Sequence, residues 1–317
     1  MLCVPGSNTA SLPMSTLAGY RFVLVTGKGG VGKTTVCAAE ARALVASGKR
    51  VLIALCNAKE RLSTMLGVGP IGPEITQVAE GMWAVNMQPQ RALEEYGILV
   101  LHSRMLSKTL FYNRYVRAFL RAVPGMQEWV LLGKAWWHTT ERQADGGFKY
   151  DVVILDAPAT GHGLDMLRVP KVILDVVPAG LLRRDAERAW AMLKDPTASA
   201  IVLVTAPEEM PTTETIELAE SIAQMGLRTG RVIVNGVLPE VFSAEERAAL
   251  ESASVATTGS RGDEALRIAR DRAIRERVQA DSLARLSREL GTQPLILPLL
   301  TQDAANPDAI RQLAKLL

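Results

Sequence analysis

Nine consecutive residues, Gly27-Lys-Gly-Gly-Val-Gly-Lys-Thr-Thr35, constrain this chain more than any other part of it. They fit the pattern G-x-x-x-x-G-K-[ST], and their setting makes the match informative. The preceding run, Phe22-Val-Leu-Val-Thr26, is apolar and β-branched and predicts a buried strand. The following residues, 34–47, predict a helix that stops at Gly48. A glycine-rich turn between strand and helix lets successive backbone N–H groups face inward, with the positive helix end behind them. Such a turn is a cradle for phosphate oxygens. Gly27, Lys28, Gly29, Gly30, Val31, Gly32, Lys33, Thr34 and Thr35 are its candidate contacts. Lys33 is placed to reach the β- and γ-phosphates of ATP, Thr34 to ligate Mg²⁺, and Thr35 to meet the α-phosphate.

Further apolar runs share the character of the first. They are Val51-Leu-Ile-Ala-Leu55, Val152-Val-Ile-Leu-Asp156, Ile201-Val-Leu-Val-Thr205 and Arg231-Val-Ile-Val-Asn235, with weaker runs at 83–87 and 295–297. Their lack of polar alternation predicts parallel strands covered on both faces. Helical stretches lie between them, so the fold class is α/β: a doubly wound, mostly parallel sheet of the P-loop NTPase kind. Residues 90–145 and 163–198 carry only helical patterns and read as a helical subdomain beside the sheet. Residues 1–17 read as a disordered tail, with Met14 a candidate natural start, and 18–317 as one ATPase domain.

Charge and cysteine usage exclude other classes. The net charge of +3, from 36 basic and 33 acidic residues, is too balanced for a chain that coats nucleic acid. Cys3, Cys37 and Cys56 have no metal or redox spacing, and sparse thiols fit a cytoplasmic protein. His102, His138 and His162 are too scattered for a zinc site. No run of 18 apolar residues predicts a transmembrane segment.

Asp156 ends its strand, where a carboxylate beside the phosphate loop is placed to hold Mg²⁺ through water. After it, small residues and Gly161 predict a loop near the γ-phosphate, able to sense it and move. Two resemblances follow. The early Lys28 makes the loop similar to the deviant Walker A ATPases, which implies a dimer in which Lys28 crosses to the partner's nucleotide. The run Asp156-Ala-Pro-Ala-Thr-Gly-His-Gly-Leu-Asp-Met-Leu-Arg-Val-Pro170 resembles the switch II segment D-T-A-P-T-G-H-T-L-R-x-L-x-x-P of the family that joins the arsenite-pump ATPase to the targeting ATPases for tail-anchored membrane proteins. Asp156, Thr160, Gly161, His162, Leu164, Leu167 and Pro170 match it. Pro124-Gly-Met-Gln-Glu128, the segment 204–215, Val232-Ile-Val-Asn-Gly-Val-Leu-Pro239 and Pro298-Leu-Leu300 resemble further family segments, so the likeness spans about residues 20–317. It implies that Asn235 contacts the purine and that Pro298 and Leu299 flank the adenine.

One departure bears on catalysis. The resemblance implies an aspartate, orienting the attacking water, where this chain has Asn57 in Cys56-Asn-Ala-Lys-Glu-Arg-Leu-Ser-Thr64. An amide hydrogen-bonds water but does not take its proton at neutral pH. Losing a general base typically costs about 10²–10⁴ in rate. The expectation is an ATPase that binds ATP and turns it over slowly, as a homodimer or as a heterodimer with a paralogue that supplies the intact switch. Glu60 is the nearest carboxylate in sequence. Met105, Leu106, Leu110, Phe111, Tyr112, Tyr115, Phe119 and Leu120 recur at helical spacing and are candidates to line a groove for a hydrophobic or membrane-protein client. No zinc-binding C-x-x-C and no arsenite-site cysteine triplet is present. A regulatory ATP-binding subunit, suggested by Asn57, and a ParA/MinD-type positioning ATPase are the alternatives. The Thr160-Gly-His162 run and Pro298-Leu-Leu300 argue against the latter.

Overall fold

The computed structural model describes residues 17–101, 125–253, 260–300 and 305–317. Its frame is an eight-stranded sheet of β1 (Phe22–Thr26), β2 (Val51–Cys56), β3 (Thr76–Ala79), β4 (Met82–Met87), β5 (Val152–Asp156), β6 (Ser199–Thr205), β7 (Thr229–Val237) and β8 (Leu295–Pro298). The strand order is β3-β4-β2-β5-β1-β6-β7-β8, and every neighbouring pair is parallel except β3 with β4. The described helices are α1 (Lys33–Ala46), α2 (Leu62–Leu66), α3 (Pro89–Leu101), α4 (Met126–Thr140), α5 (Thr160–Val176), α6 (Leu181–Lys194), α7 (Glu209–Gln224), α8 (Ala244–Ser252), α9 (Arg261–Leu290) and α10 (Pro307–Ala314).

All residues of β1, β5 and β6 are buried, which is why these segments lack polar alternation. Successive residues serve opposite faces. Val23, Val25, Ile53 and Leu55 pack against Leu44 of α1, Leu66 of α2 and Ile310 of α10. Phe22, Leu24, Leu52 and Ala54 pack against Leu132 of α4, Leu167 of α5, Leu193 of α6 and Ile222 of α7. Trp129 joins a smaller cluster with Ala92, Ile173 and Ala189, where α3, α4, α5 and α6 meet. None of the helices, among the described residues, is long and apolar enough to cross a membrane.

Three local readings differ from expectation. The edge strand β3 carries no apolar run. It is held by antiparallel pairing with β4, and its first two residues are exposed. The loop after Asp156 is shorter than its small residues suggest, because α5 already begins at Thr160 and runs through Pro170. Residues 141–145 leave the helical pattern, with an isolated bridge between Arg142 and Phe148. The apolar segment from Met105 to Leu120 and residues 1–16 of the tail lie outside the described residues, while Leu17 is buried against the core.

Candidate nucleotide site

The parallel register brings the ends of three strands together. Val25 of β1 and Leu55 of β2 both lie opposite Asp156 of β5, so the loop after β1 opens beside that carboxylate. Gly27 has φ 147°, and a Cβ there would come within 2.0 Å of the Val204 carbonyl oxygen of β6. Gly32 has φ 89°, and its Cβ would come within 2.2 Å of Asn235 Nδ2. Both backbones disfavour other residues, and at Gly27 the clash is with backbone that cannot move. Asn235 Nδ2 donates to the Val31 carbonyl at 3.0 Å, so the candidate purine residue also braces the phosphate loop.

Lys33 curls back over this loop. Its Nζ donates to the carbonyls of Gly27 and Lys28, each at 3.0 Å. Burial lowers its pKa, and the charge of Asp156 partly restores it. Thr34 Oγ1 donates to Asp156 Oδ2 at 2.6 Å, and Thr35 is buried. Burial pushes the Asp156 carboxyl up, opposed by the Thr34 hydroxyl, the Lys33 charge and the Cys37 thiol. A buried carboxylate and a hydroxyl at hydrogen-bond distance, beside an ammonium and a turn with no room for a Cβ at Gly27, fit a triphosphate and a hard divalent cation such as Mg²⁺.

On the base side, Leu299 N donates to the Val237 carbonyl at 2.7 Å, tying the residue after Pro298 to the strand that carries Asn235. Leu299 is 53% exposed, next to Gly236.

The remaining predicted residues follow β2 and β5 or belong to the loop itself. Asn57 is exposed, with a left-handed φ of 47°, and its backbone N–H donates to Met87 at 2.8 Å. The next residue, Ala58, is held on both sides by the Asn86 side chain, at 3.1 and 3.0 Å. Both Glu60 oxygens are taken by Ser63, at 2.6 and 2.7 Å, at the start of α2. Thr160, Gly161 and His162 form the first turn of α5. His162 Nδ1 is 2.9 Å from Glu128 Oε1 in the first turn of α4. Lys28 Nζ donates to Glu214 Oε1 of α7 at 2.5 Å. The sequence singled out neither Asn86 nor Glu214 for a role. It matched Glu128 only as part of a helix start, without its link to His162.

Among the described residues, no group of three or more His, Cys, Asp or Glu side chains is placed to hold a metal ion. The family model described as anion-transporting ATPase matches residues 20–179 and 182–256. The ATPase BagA of Mycobacterium tuberculosis is 29% identical over 248 residues, which cover 77% of this chain and 72% of that protein. The arsenical pump-driving ATPase of Escherichia coli is 26% identical over 303 residues, covering 87% of this chain and 50% of the pump protein. That of Acidiphilium multivorum is 27% identical over 237 residues, 69% of this chain and 40% of its own length.

Proposed function

Because this chain belongs to the anion-transporting ATPase family, we propose that it is a cytoplasmic ATP- and Mg²⁺-dependent switch whose nucleotide state governs dimerisation and the handling of a hydrophobic or membrane-protein client. That it is a P-loop ATPase follows from the family itself. The observation that supports the nucleotide and Mg²⁺ dependence is the pairing of Thr34 with Asp156, 2.6 Å apart beside the glycine turn.

In this reading the loop amides and Lys33 receive the β- and γ-phosphates. Thr34, and Asp156 through water, would hold Mg²⁺, which when bound draws charge off the phosphates. Asn235, Pro298 and Leu299 take the adenine. Residues 160–162 carry the response to the γ-phosphate towards α4 and α5, which pack with α3 and α6 as the helical subdomain. Asn57 keeps turnover low, and Glu60 offers no relief because Ser63 engages both of its oxygens. Asn57 also favours a second reading, a regulatory subunit paired with a catalytic paralogue.

Calorimetry with ATP and Mg²⁺ on the wild type and Lys33→Ala tests the core of this. Removing the ammonium should weaken binding about 10- to 100-fold, the worth of a charge-assisted hydrogen bond or two. Equal affinity in the two proteins would refute the phosphate grip. Turnover of the homogeneous chain, compared with turnover after adding a paralogue, separates the two readings.

A further inference from the structure

Asn57 leaves hydrolysis without its proton acceptor, and the carboxylates around the phosphate loop narrow the search for a substitute. Asp156 is bound to Thr34 at 2.6 Å. Glu60 accepts from the Ser63 amide and hydroxyl in the first turn of α2. Glu214 holds Lys28 at 2.5 Å. Glu128 differs from these in its partner, which is an imidazole: His162 Nδ1–H donates to Glu128 Oε1 at 2.9 Å.

The pair sits at the loop's end of the sheet. Gly163, the residue after His162, lies so close to the end of β1 that a Cβ would come within 2.4 Å of Thr26 Oγ1. Ala159, three residues before His162, lies against Gly29, whose Cβ would be 3.8 Å from that of Ala159. Glu128 is near the end of β2. Burial is the main cause of the raised Cys56 thiol pKa, and the charges of Asp156 and Glu128 add to it. The pair therefore bridges the segment ending in Asn57 and the segment after Asp156, which flank the loop from two sides.

Exposure divides the roles. The Glu128 side chain is 15% exposed and that of His162 73%. A carboxylate that accepts from Nδ1–H fixes the tautomer and the ring plane. It leaves the Nε2 lone pair as acceptor and stabilises the imidazolium that forms. A base that activates water needs these properties.

The geometry points to the Glu128–His162 dyad as the proton acceptor of hydrolysis in this chain, with His162 Nε2 taking the proton and Glu128 positioning the ring. The inference rests on the ATPase reading above. In the step, the water oxygen bonds to the γ-phosphorus while the bond from phosphorus to the β–γ bridging oxygen breaks, its electron pair leaving on ADP. One water proton passes to Nε2 and the other stays on the phosphate product. The imidazolium then releases its proton to solvent. Asn57 hydrogen-bonds the same water without deprotonating it.

The test is turnover at saturating ATP and Mg²⁺, with calorimetric affinity, for the wild type, His162→Gln, Glu128→Gln, Asn57→Asp and the double variant His162→Gln/Asn57→Asp. The two dyad variants should each lose about 10²-fold in kcat with affinity unchanged within about twofold. Asn57→Asp should restore turnover to His162→Gln, because the new carboxylate supplies the base. A purely structural histidine would not be rescued in this way. If Glu128→Gln lowers the melting temperature, Glu128→Asp, which keeps the carboxylate, should recover part of the rate. Wild-type turnover in His162→Gln, or no rescue by Asn57→Asp, overturns the dyad. A wild type that binds ATP without turning it over overturns it too, and leaves nucleotide binding intact. A wild type that binds no ATP brings down the earlier reading instead.

Discussion

Gly27 and Gly32 are both required, but for separable reasons. At Gly27 an added methyl meets a strand carbonyl at 2.0 Å, and that oxygen belongs to the central sheet and has nowhere to go. At Gly32 it meets the end of the Asn235 side chain at 2.2 Å, which is able to swing away. Gly27→Ala should therefore act mainly on folding, costing about 2–4 kcal/mol through strain and overpacking. Gly32→Ala should cost less, about 1–2 kcal/mol, because the left-handed backbone is its chief penalty. It should nonetheless impair ATP binding, since displacing Asn235 disconnects the base side from Val31. Thermal melts paired with calorimetry would show the two orders reversed: Gly27→Ala worse in stability, Gly32→Ala worse in affinity relative to stability. Asn57 poses a different conformational problem. Among the described residues it is the non-glycine position with positive φ, a region that Asn and Asp tolerate better than other side chains. Asn57→Asp should accordingly preserve stability, which makes it a fair test of chemistry alone.

At the level of elements, the long helix α9 holds the segment that follows Asn235. Gln279 accepts from Leu238 N at 2.8 Å and donates to Leu238 O at 3.0 Å. Glu276 accepts from Val241 N at 3.0 Å and from Phe242 N at 3.2 Å, and it is held by Arg272 at 2.7 Å. Burial works to raise the Glu276 carboxyl. Arg272 and the two amides outweigh it and keep the pKa below the ordinary glutamate value. A depressed folded-state pKa contributes stability above the unfolded value and loses it as pH falls through the folded one. Glu276→Gln should thus melt below the wild type at neutral pH, by the equivalent of about 2 kcal/mol. The gap should close as pH drops below about 4. A gap that persists unchanged at low pH would mean the carboxylate's charge is irrelevant to the clamp. None of this was legible in the sequence, and the reason is distance along the chain. β1, β5 and β6 could be read directly because burial on both faces is written in their own residues. The phosphate loop could be read because its glycines, Lys33 and Thr34 are contiguous. β3 could not, because it is held by its partner strand rather than by apolar residues of its own. Likewise Glu128 meets His162 across 34 positions and Glu214 meets Lys28 across 186, so no local pattern announces either pair.

For the whole molecule, the state of Lys28 connects the single chain to the proposed dimer. In the protomer its ammonium rests on Glu214 Oε1 at 2.5 Å, with the two side chains 25% and 32% exposed. Glu214 lies in the same chain, so reaching a partner's nucleotide would draw the ammonium away from it, and the two contacts compete. A partly exposed pair of this kind contributes under about 1 kcal/mol. A cation placed at a transferring phosphoryl group can be worth about 10³ in rate. In the proposed dimer the internal contact is weak enough to be given up for a γ-phosphate of the partner, so bound nucleotide would decide which contact forms. Removing the internal competitor should then tighten association only when nucleotide is bound. Glu214→Gln should lower the dimer dissociation constant in ATP and Mg²⁺ by up to about fivefold, with little change in their absence. Lys28→Ala should keep ATP affinity within a few-fold and lose about 10³ in kcat. In the wild type, specific activity should rise with protein concentration as dimers form, and Lys28→Ala should abolish that rise. Light scattering and turnover measured over one concentration series would report both effects. If wild-type specific activity is independent of concentration while mass stays that of a single chain, the protomer works alone, and Lys28 then belongs to Glu214 rather than to a neighbour.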